Sequence, residues 1–97
     1  MNESKDYFNY TGCEFLKQKA NSTIIEAGKM SKCIFFIIHG NVHVMDANGQ
    51  YQYGILGEGS YFGDISAMLN EPNEFSYLYN PYIKQVDVLK IELVDWL

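Results

Sequence analysis

The chain has 97 residues, and its 12 acidic and 7 basic side chains leave a formal net charge of −5. All of the basic residues are lysines, and this acidic balance argues against nucleic acid and against an anionic membrane surface as partners. A hydrophobic fraction of 47% predicts a packed domain over residues 1–97, and no apolar run reaches the ~20 residues of a membrane span.

The first third of the chain predicts a short helix followed by short strands. The helix is predicted over Lys5–Tyr10, before a break at Thr11-Gly12. From Glu14 onward the side chains alternate in a β manner as far as residue 19. Runs rich in Ile, Val and Phe then predict three further strands, at Thr23–Glu26, Cys33–His39 and Val42–Asp46.

Asn48-Gly49 is the strongest local hairpin signal. Both residue types tolerate positive φ, which a type I′ turn requires at its two central positions. The pair is therefore predicted to join Val42–Asp46 to a strand at Gln50–Leu56.

The second half predicts a glycine-rich segment, a short helix and two strands. The glycines lie in residues 57–63, and the helix is predicted over Ile65–Leu69 with Asp64 as its N-cap. Strands are predicted at Phe75–Tyr79 and Tyr82–Ile91, and the start of a terminal helix at Leu93–Leu97. About eight short strands at hairpin spacing indicate a mainly β fold, an antiparallel β-roll or jelly-roll barrel with short helices.

Several residues admit a structural and a functional interpretation. Cys13 and Cys33 are interpreted as reduced intracellular thiols, although one disulfide is possible. His39 and His43 are interpreted as strand-edge residues, because a metal site would need further ligands. The sequence offers no nucleophile–base pair, so we expect no enzyme activity. Five tyrosines predict either an aromatic patch or half-buried sheet packing: Tyr51, Tyr53, Tyr77, Tyr79 and Tyr82.

Three segments resemble the cyclic-nucleotide-binding domain, in particular the version found in ion channels. Ile24–Lys29 is similar to its early strand and turn, and Cys33–Val44 to its central strand, glycine turn and following strand. Gly57–Ser66 is similar to the start of its phosphate-binding cassette. The resemblance extends over about residues 14–92 and implies the β-roll fold.

The resemblance also implies a ligand pocket, whose candidate residues are Phe62, Gly63, Asp64, Ile65, Glu74 and Phe75. Backbone N–H groups around Gly63 would face the cyclic phosphate, and Asp64 is either a ribose ligand or only a helix cap. The Arg-Thr/Ser pair that usually holds the phosphate falls on Glu74-Phe75, and Asn73–Ser76 contains no cation. A lost charge-assisted hydrogen bond and an added carboxylate predict an affinity weaker by about a hundred-fold or more.

The function implied is a cytoplasmic regulatory module of a cation channel, of the potassium or cyclic-nucleotide-gated kind, that binds no cyclic nucleotide or other cofactor. Its partners would be the rest of the channel polypeptide and the other subunits of a tetramer. The alternative is a genuine cAMP or cGMP sensor that uses backbone amides, Asp64 and a lysine from elsewhere in the chain. A cupin-type metal enzyme is a third and less favoured interpretation.

Overall fold

The computed structural model describes residues 10–16, 22–82 and 85–93. In these residues none of the helical structure has the length and apolar character needed to cross a bilayer. The elements are β1 (Tyr10–Leu16), β2 (Thr23–Ile25), β3 (Cys33–His39), β4 (Val42–Met45), β5 (Gln52–Leu56), β6 (Tyr61–Phe62), α1 (Asp64–Leu69), β7 (Ser76–Tyr79) and β8 (Asp87–Leu93).

The strands form two antiparallel four-stranded sheets. The first sheet has the order β1-β8-β3-β6, and the second has the order β2-β7-β4-β5. Consecutive strands often lie in different sheets, so the chain crosses repeatedly from one sheet to the other. This arrangement confirms the predicted mainly β roll of about eight strands.

The core lies between the sheets because each strand turns apolar side chains inward. In β3, Phe35 and Ile37 are buried, whereas Ile38 and His39 at its end are exposed. Each fully buried large apolar side chain contributes about 1.5–3 kcal/mol relative to an exposed one. The buried cluster consists of Ile25, Phe35, Ile37, Val42, Phe62, Tyr79, Val86 and Val88.

Two of the crossings between the sheets pack against each other. Gly40-Asn41 joins β3 to β4, and residues 80–86 join β7 to β8. Gly40 has a φ of 89°, and a Cβ at this position would lie 2.7 Å from the carbonyl oxygen of Gln85 and 3.0 Å from the Cα of Val86. The Asn80 Nδ2 donates a hydrogen bond of 2.6 Å to the Asn41 Oδ1. The two crossings therefore form one closely packed corner.

The predicted strands at Thr23–Glu26, Cys33–His39 and Val42–Asp46 agree with β2, β3 and β4 to within one residue. The largest differences are at the two ends. β1 begins at Tyr10 and runs through Thr11-Gly12, because a register shift between Tyr10 and Gly12 accommodates the glycine. The helix predicted over Lys5–Tyr10 therefore cannot include Tyr10, and its other residues lie outside the described ones.

The last strand also begins later in the sequence than predicted. The interval predicted as Tyr82–Ile91 begins within a turn at Pro81-Tyr82, and the strand itself is β8. Val86 supplies an apolar residue to this interval, but it is fully buried in the crossing between the sheets rather than in a strand. Leu93 ends β8, and the rest of the helix predicted at Leu93–Leu97 lies outside the described residues.

The turn between β4 and β5 is not the predicted type I′ turn. Of its two central residues only Gly49 has a positive φ, of 72°. The Gly49 N–H donates to the Asp46 carbonyl oxygen, and the Asp46 N–H donates to the Tyr51 carbonyl oxygen. The Asp46 Oδ1 also accepts the N–H groups of Gln50 and Tyr51, at 2.8 and 3.0 Å. An aspartate-stabilised loop of residues 46–51 thus replaces a two-residue turn.

These hydrogen bonds predict a dependence of stability on acid pH. The Tyr51 N–H is the main cause that lowers the pKa of Asp46 below 3.8. Since the unfolded chain has the higher pKa, the carboxylate stabilises the fold above that value, and the effect is lost as the pH falls through the folded-state pKa. We expect the difference in unfolding free energy between the wild type and Asp46→Asn to shrink between neutral pH and about pH 3, as measured by urea denaturation. A difference that stays constant over this range would contradict the assignment.

The strand register keeps the two cysteines apart. β8 lies between β1 and β3, with Cys13 opposite Ile91 and Cys33 opposite Glu92. Two strand spacings separate the Cα atoms by about 9–10 Å, whereas a disulfide requires about 7 Å or less. Cys33 is a free thiol in the described structure, and the register offers no support for a disulfide with Cys13.

Candidate functional site

The predicted site falls in one continuous segment, residues 57–76, which we call the cassette segment. It contains the glycine-rich loop, β6, α1 and the loop that leads into β7. The loop is fixed along β3, because the Gly59 N–H donates to the Ile37 carbonyl oxygen and the Ile37 N–H donates to the Ser60 carbonyl oxygen. These bonds place β6 at the edge of the first sheet and bring Phe62 opposite Phe35.

Gly63 connects β6 to α1 in a left-handed backbone conformation that disfavours residues with a side chain. Its φ is 77°, and a Cβ there would lie 2.8 Å from the Cδ1 of Ile25 and 3.4 Å from the Cys33 carbonyl oxygen. Gly63 is also the N-cap of α1, and no side chain caps the helix. The prediction that Asp64 is the N-cap was therefore wrong: Asp64 is the first residue of the helix, where its charge is favourable to the helix dipole.

α1 contributes no side chain to the core. Its apolar residues Ile65, Met68 and Leu69 face solvent, with Ile65 65% exposed. Asn70, with a φ of 57°, ends the helix in the left-handed conformation. Ile65 was predicted to line a pocket, and the structure places its side chain largely in solvent.

Phe62 lies in the middle of an aromatic stack. Its ring is 5.2 Å from that of Phe35 at an interplanar angle of 17°, and 4.9 Å from that of Tyr77 at 28°. Phe62 is only 2% exposed. The stack joins the cassette segment to β3 on one side and to β7 on the other, so Phe62 ties the site to the core.

The end of the cassette segment is attached to the turn after β2. The Gly28 N–H donates to the Asn73 carbonyl oxygen at 2.8 Å, and the Lys29 carbonyl oxygen accepts both the backbone N–H and the Nδ2 of Asn73. The Ala27 N–H donates to the Ser76 Oγ at 2.9 Å. Asn73 and Ser76 are both buried. In the sequence, Asn73 stood out only as part of the cation-free stretch Asn73–Ser76, and its polar, turn-like character gave no sign of this role.

Glu74 and Phe75 diverge from each other. The Glu74 side chain is exposed, whereas the polar side chains of Asn73 and Ser76 are buried. The Phe75 ring packs against Tyr53 of β5 at 4.9 Å. The side chains of these two predicted pocket residues therefore lie in different surroundings, one in solvent and the other against β5.

The pKa of Tyr77 responds to negative charge in the cassette segment. Burial is the main cause that raises the pKa of the Tyr77 phenol above its ordinary value of 10.0, and the carboxylates of Asp64 and Glu74 raise it further. Two of the predicted site residues therefore act on one phenol, which itself contacts Phe62. No feature of the sequence alone indicated that the carboxylates of Asp64 and Glu74 both raise the pKa of Tyr77.

This arrangement predicts how the Tyr77 phenol titrates. Glu74→Gln removes one of the charges that disfavour the phenolate, so we expect the Tyr77 pKa to fall while staying above 10, because burial remains. Glu71→Gln, a matched change in the same loop that is not among the causes of the shift, should leave the titration unchanged. Alkaline NMR titration of the assigned tyrosine ring carbon measures both, and equal shifts in the two variants would contradict the assignment.

The formal charges of the cassette segment are all negative: Glu58, Asp64, Glu71 and Glu74. The fold brings a lysine against the end of the segment, since Lys29 accepts both Asn73 hydrogen bonds through its backbone. The sequence left open which lysine could lie near the segment, because the turn that carries Lys29 lies 44 residues before Asn73.

The two histidines lie on either side of the Gly40 turn. The His39 Nδ1 lies 3.1 Å from the Glu58 Oε2 at the surface, and the Gly40 N–H donates to the same oxygen at 3.4 Å. Within the described part of the chain, no three His, Cys, Asp or Glu side chains come together in a way that could hold a metal ion.

The comparisons with known proteins agree with this architecture. The model of the cyclic nucleotide-binding domain family matches residues 15–78, about two thirds of the chain. The chain therefore belongs to the cyclic nucleotide-binding domain family. Among curated proteins, no sequence matches it.

Solved structures share the fold at low sequence identity. The regulatory subunit of a cAMP-independent protein kinase A from Trypanosoma brucei has a TM-score of 0.71 and 18% identity, over 82% of this chain and 28% of that one. A cyclic nucleotide-binding-like protein from Brucella abortus gives 0.69 and 16%, over 82% and 68%. The catabolite activator protein of Thermus thermophilus gives 0.68 and 17%, over 82% and 38%. The chain spans about a quarter to two thirds of the length of these proteins.

Proposed function

We propose that this chain is a regulatory module of its family that has lost tight binding of cyclic nucleotides. The observation that carries the proposal is the charge of the cassette segment, which has four carboxylates and no lysine or arginine. A cyclic monophosphate is an anion, and a site that removes it from water must offer positive charge or hydrogen-bond donors.

The geometry around Tyr77 supports the same conclusion. The Asp64 and Glu74 carboxylates disfavour a second negative charge on the nearby phenol, and they would act in the same direction on a phosphate. Because the Glu74 side chain is exposed, solvent screens much of its repulsion. A cation at this position would add a charge-assisted hydrogen bond of about 1.5–3 kcal/mol. Its absence therefore weakens phosphate binding more than the repulsion by Glu74 does.

The test is calorimetric titration of the full chain with cAMP and with cGMP. We expect a dissociation constant about a hundred-fold or more above that of a family member with an intact cassette, titrated under the same conditions. A dissociation constant within about tenfold of that family member's would contradict the proposal.

Lys29 favours one alternative function, a cyclic-nucleotide sensor with an atypical cation. Its backbone is hydrogen-bonded to Asn73, which makes Lys29 the candidate to supply a cation near the end of the cassette segment. If the chain does bind cAMP, this alternative predicts that Lys29→Gln weakens binding about tenfold or more, and that Lys90→Gln on β8 leaves it unchanged. Structures with this fold include both a cAMP-bound protein and a cAMP-independent one, so the fold alone does not distinguish the two functions.

The wider context that we propose is the cytoplasmic part of a tetrameric cation channel, with the other channel segments as partners and with no enzyme activity. Its support is the order of the three segments Ile24–Lys29, Cys33–Val44 and Gly57–Ser66, which are similar to those of channel domains. Patch-clamp recording of the full-length protein that contains this chain tests it. We expect a cation current that does not respond to cAMP on the cytoplasmic face, and the absence of any cation current would exclude the channel context.

A further inference from the structure

The loop between β4 and β5 presents an asparagine and a glycine to solvent side by side. Asn48 and Gly49 are both exposed, and they lie in the loop of residues 46–51 that the Asp46 carboxylate stabilises. No atom outside its chain neighbours lies within 4 Å of a Cβ placed on Gly49. The backbone nitrogen of Gly49 therefore has open space around it and the side-chain amide of Asn48 next to it.

We propose that Asn48 is a modification site, at which deamidation without an enzyme produces isoaspartate and aspartate. The Gly49 nitrogen bonds to the Asn48 Cγ, the bond between Cγ and Nδ2 breaks, and Nδ2 leaves as ammonia with the proton given up by the Gly49 nitrogen. Water then adds to one carbonyl carbon of the resulting cyclic imide, and the bond from that carbon to the nitrogen breaks as the nitrogen regains a proton. Opening at Cγ gives aspartate, whereas opening at the main-chain carbonyl carbon gives isoaspartate.

The residue that follows each asparagine selects Asn48 among the asparagines of the chain. Asn48 is the only one followed by glycine, and a side chain on the following residue would hinder the approach of its nitrogen to Cγ. Asn80 precedes Pro81, which has no N–H to give up. Asn73 and Asn80 are also buried and hydrogen-bonded, which holds their amides in place.

The folded loop slows this reaction without preventing it. The Gly49 N–H donates to the Asp46 carbonyl oxygen at 3.0 Å, so this bond must open before the nitrogen can lose its proton and turn to Cγ. The Asp46 Oδ1 keeps the loop closed, because it accepts the N–H groups of Gln50 and Tyr51. A net hydrogen bond of ordinary strength reduces the open population by about two- to tenfold.

Isoaspartate at position 48 would alter the loop in two ways. It places one more carbon in the main chain before Gly49, so the Gly49 N–H no longer has its present position relative to the Asp46 carbonyl oxygen. It also adds a carboxylate two residues from that of Asp46, and like charges at this distance repel each other. The modification therefore weakens the connection between β4 and β5.

Incubation of the full chain at mildly alkaline pH tests the proposal, with digestion and a fragmentation mass spectrum that separates isoaspartate from aspartate. We expect Asn48 to be converted before the other asparagines, with isoaspartate among its products. In the chain unfolded by urea at the same pH, Asn48 should react at least about twofold faster. Earlier conversion of another asparagine in the folded chain, or equal rates for Asn48 in the two states, would overturn the proposal.

Two variants test the part played by Asp46. Asp46→Ala removes the acceptor of two loop N–H groups and should speed the conversion of Asn48 in the folded chain at least about twofold. Glu71→Ala is the matched control, because it removes one exposed carboxylate outside this loop and should leave the rate unchanged. Equal rates in the two variants would contradict the role of Asp46.

Hydrogen exchange of the wild type gives a measurement that does not depend on a variant folding correctly. The factor by which the fold protects the Gly49 amide from exchange should match the factor by which folding slows the conversion of Asn48, since both require the same opening. A Gly49 amide that exchanges as fast as in the unfolded chain would overturn the assigned control of the rate.

Discussion

Gly40→Ala should be among the most destabilising single substitutions at an uncharged position of this chain. At a φ of 89° an alanine is strained by about 1–2 kcal/mol. Its Cβ would also lie 2.7 Å from the Gln85 carbonyl oxygen and 3.0 Å from the Cα of Val86. Because these are backbone atoms they cannot rotate away, and forcing them apart costs about 1–3 kcal/mol more. We expect the unfolding free energy to fall by about 2–5 kcal/mol, as measured by urea denaturation.

Gly49→Ala is the matched control for this prediction. Gly49 also has a positive φ, of 72°, but no atom outside its immediate chain neighbours lies within 4 Å of a Cβ placed there. The control therefore carries the conformational strain without the steric overlap, and should lose only about 1 kcal/mol. Equal losses in the two variants would show that the packing of Gly40 against the residue 80–86 crossing contributes nothing. A typical domain has about 5–15 kcal/mol of stability, so the expected difference between the variants is easily measured.

Glu74→Arg should increase the affinity for cAMP by about tenfold or more. The substitution removes one of the two carboxylates that act on Tyr77 and adds a guanidinium, whose charge-assisted hydrogen bond contributes about 1.5–3 kcal/mol. The side chain at this position is exposed, so the change should not disturb the core. Titration calorimetry of the variant and the wild type, at the same ionic strength, measures the gain.

Glu71→Arg separates a local effect from a change in overall charge. Glu71 is exposed in the same loop, and its replacement changes the net charge by the same amount, but it is not among the groups that shift the Tyr77 pKa. A gain of similar size in both variants would attribute the effect to long-range steering. No gain in Glu74→Arg would show that a missing cation at this position does not limit binding.

The sequence predicted the fold well where local patterns and tertiary packing agree. Cys33–His39 was predicted with its observed bounds, because a run of Ile and Phe next to a glycine turn reads as a buried strand both locally and in the sheet. Val86 shows the opposite case, since an apolar residue next to β8 is buried in a crossing between sheets. Apolar spacing cannot distinguish these two ways of burying a side chain.

The site was predicted less completely, because its geometry depends on contacts between residues that are distant in sequence. Gly63 was identified from the glycine pattern, and its close approach to Ile25 and Cys33 gives the physical reason. Asn73 could not be identified, because its partners lie in the turn after β2. The directions of the Glu74 and Phe75 side chains depend on how the hydrogen bonds between Asn73 and the turn after β2 orient the backbone. No short-range pattern in the sequence indicates this orientation.

The position of β8 has a consequence for how the protein is made. This strand comes last among the eight, yet it is the central partner of both β1 and β3 in the first sheet. During synthesis on the ribosome, β1 and β3 therefore remain without their shared neighbour until residues 87–93 have emerged. Since long-range strand pairing is slow, the nascent chain exposes unpaired strands of that sheet for longest, and this is the period in which a chaperone would be of most use.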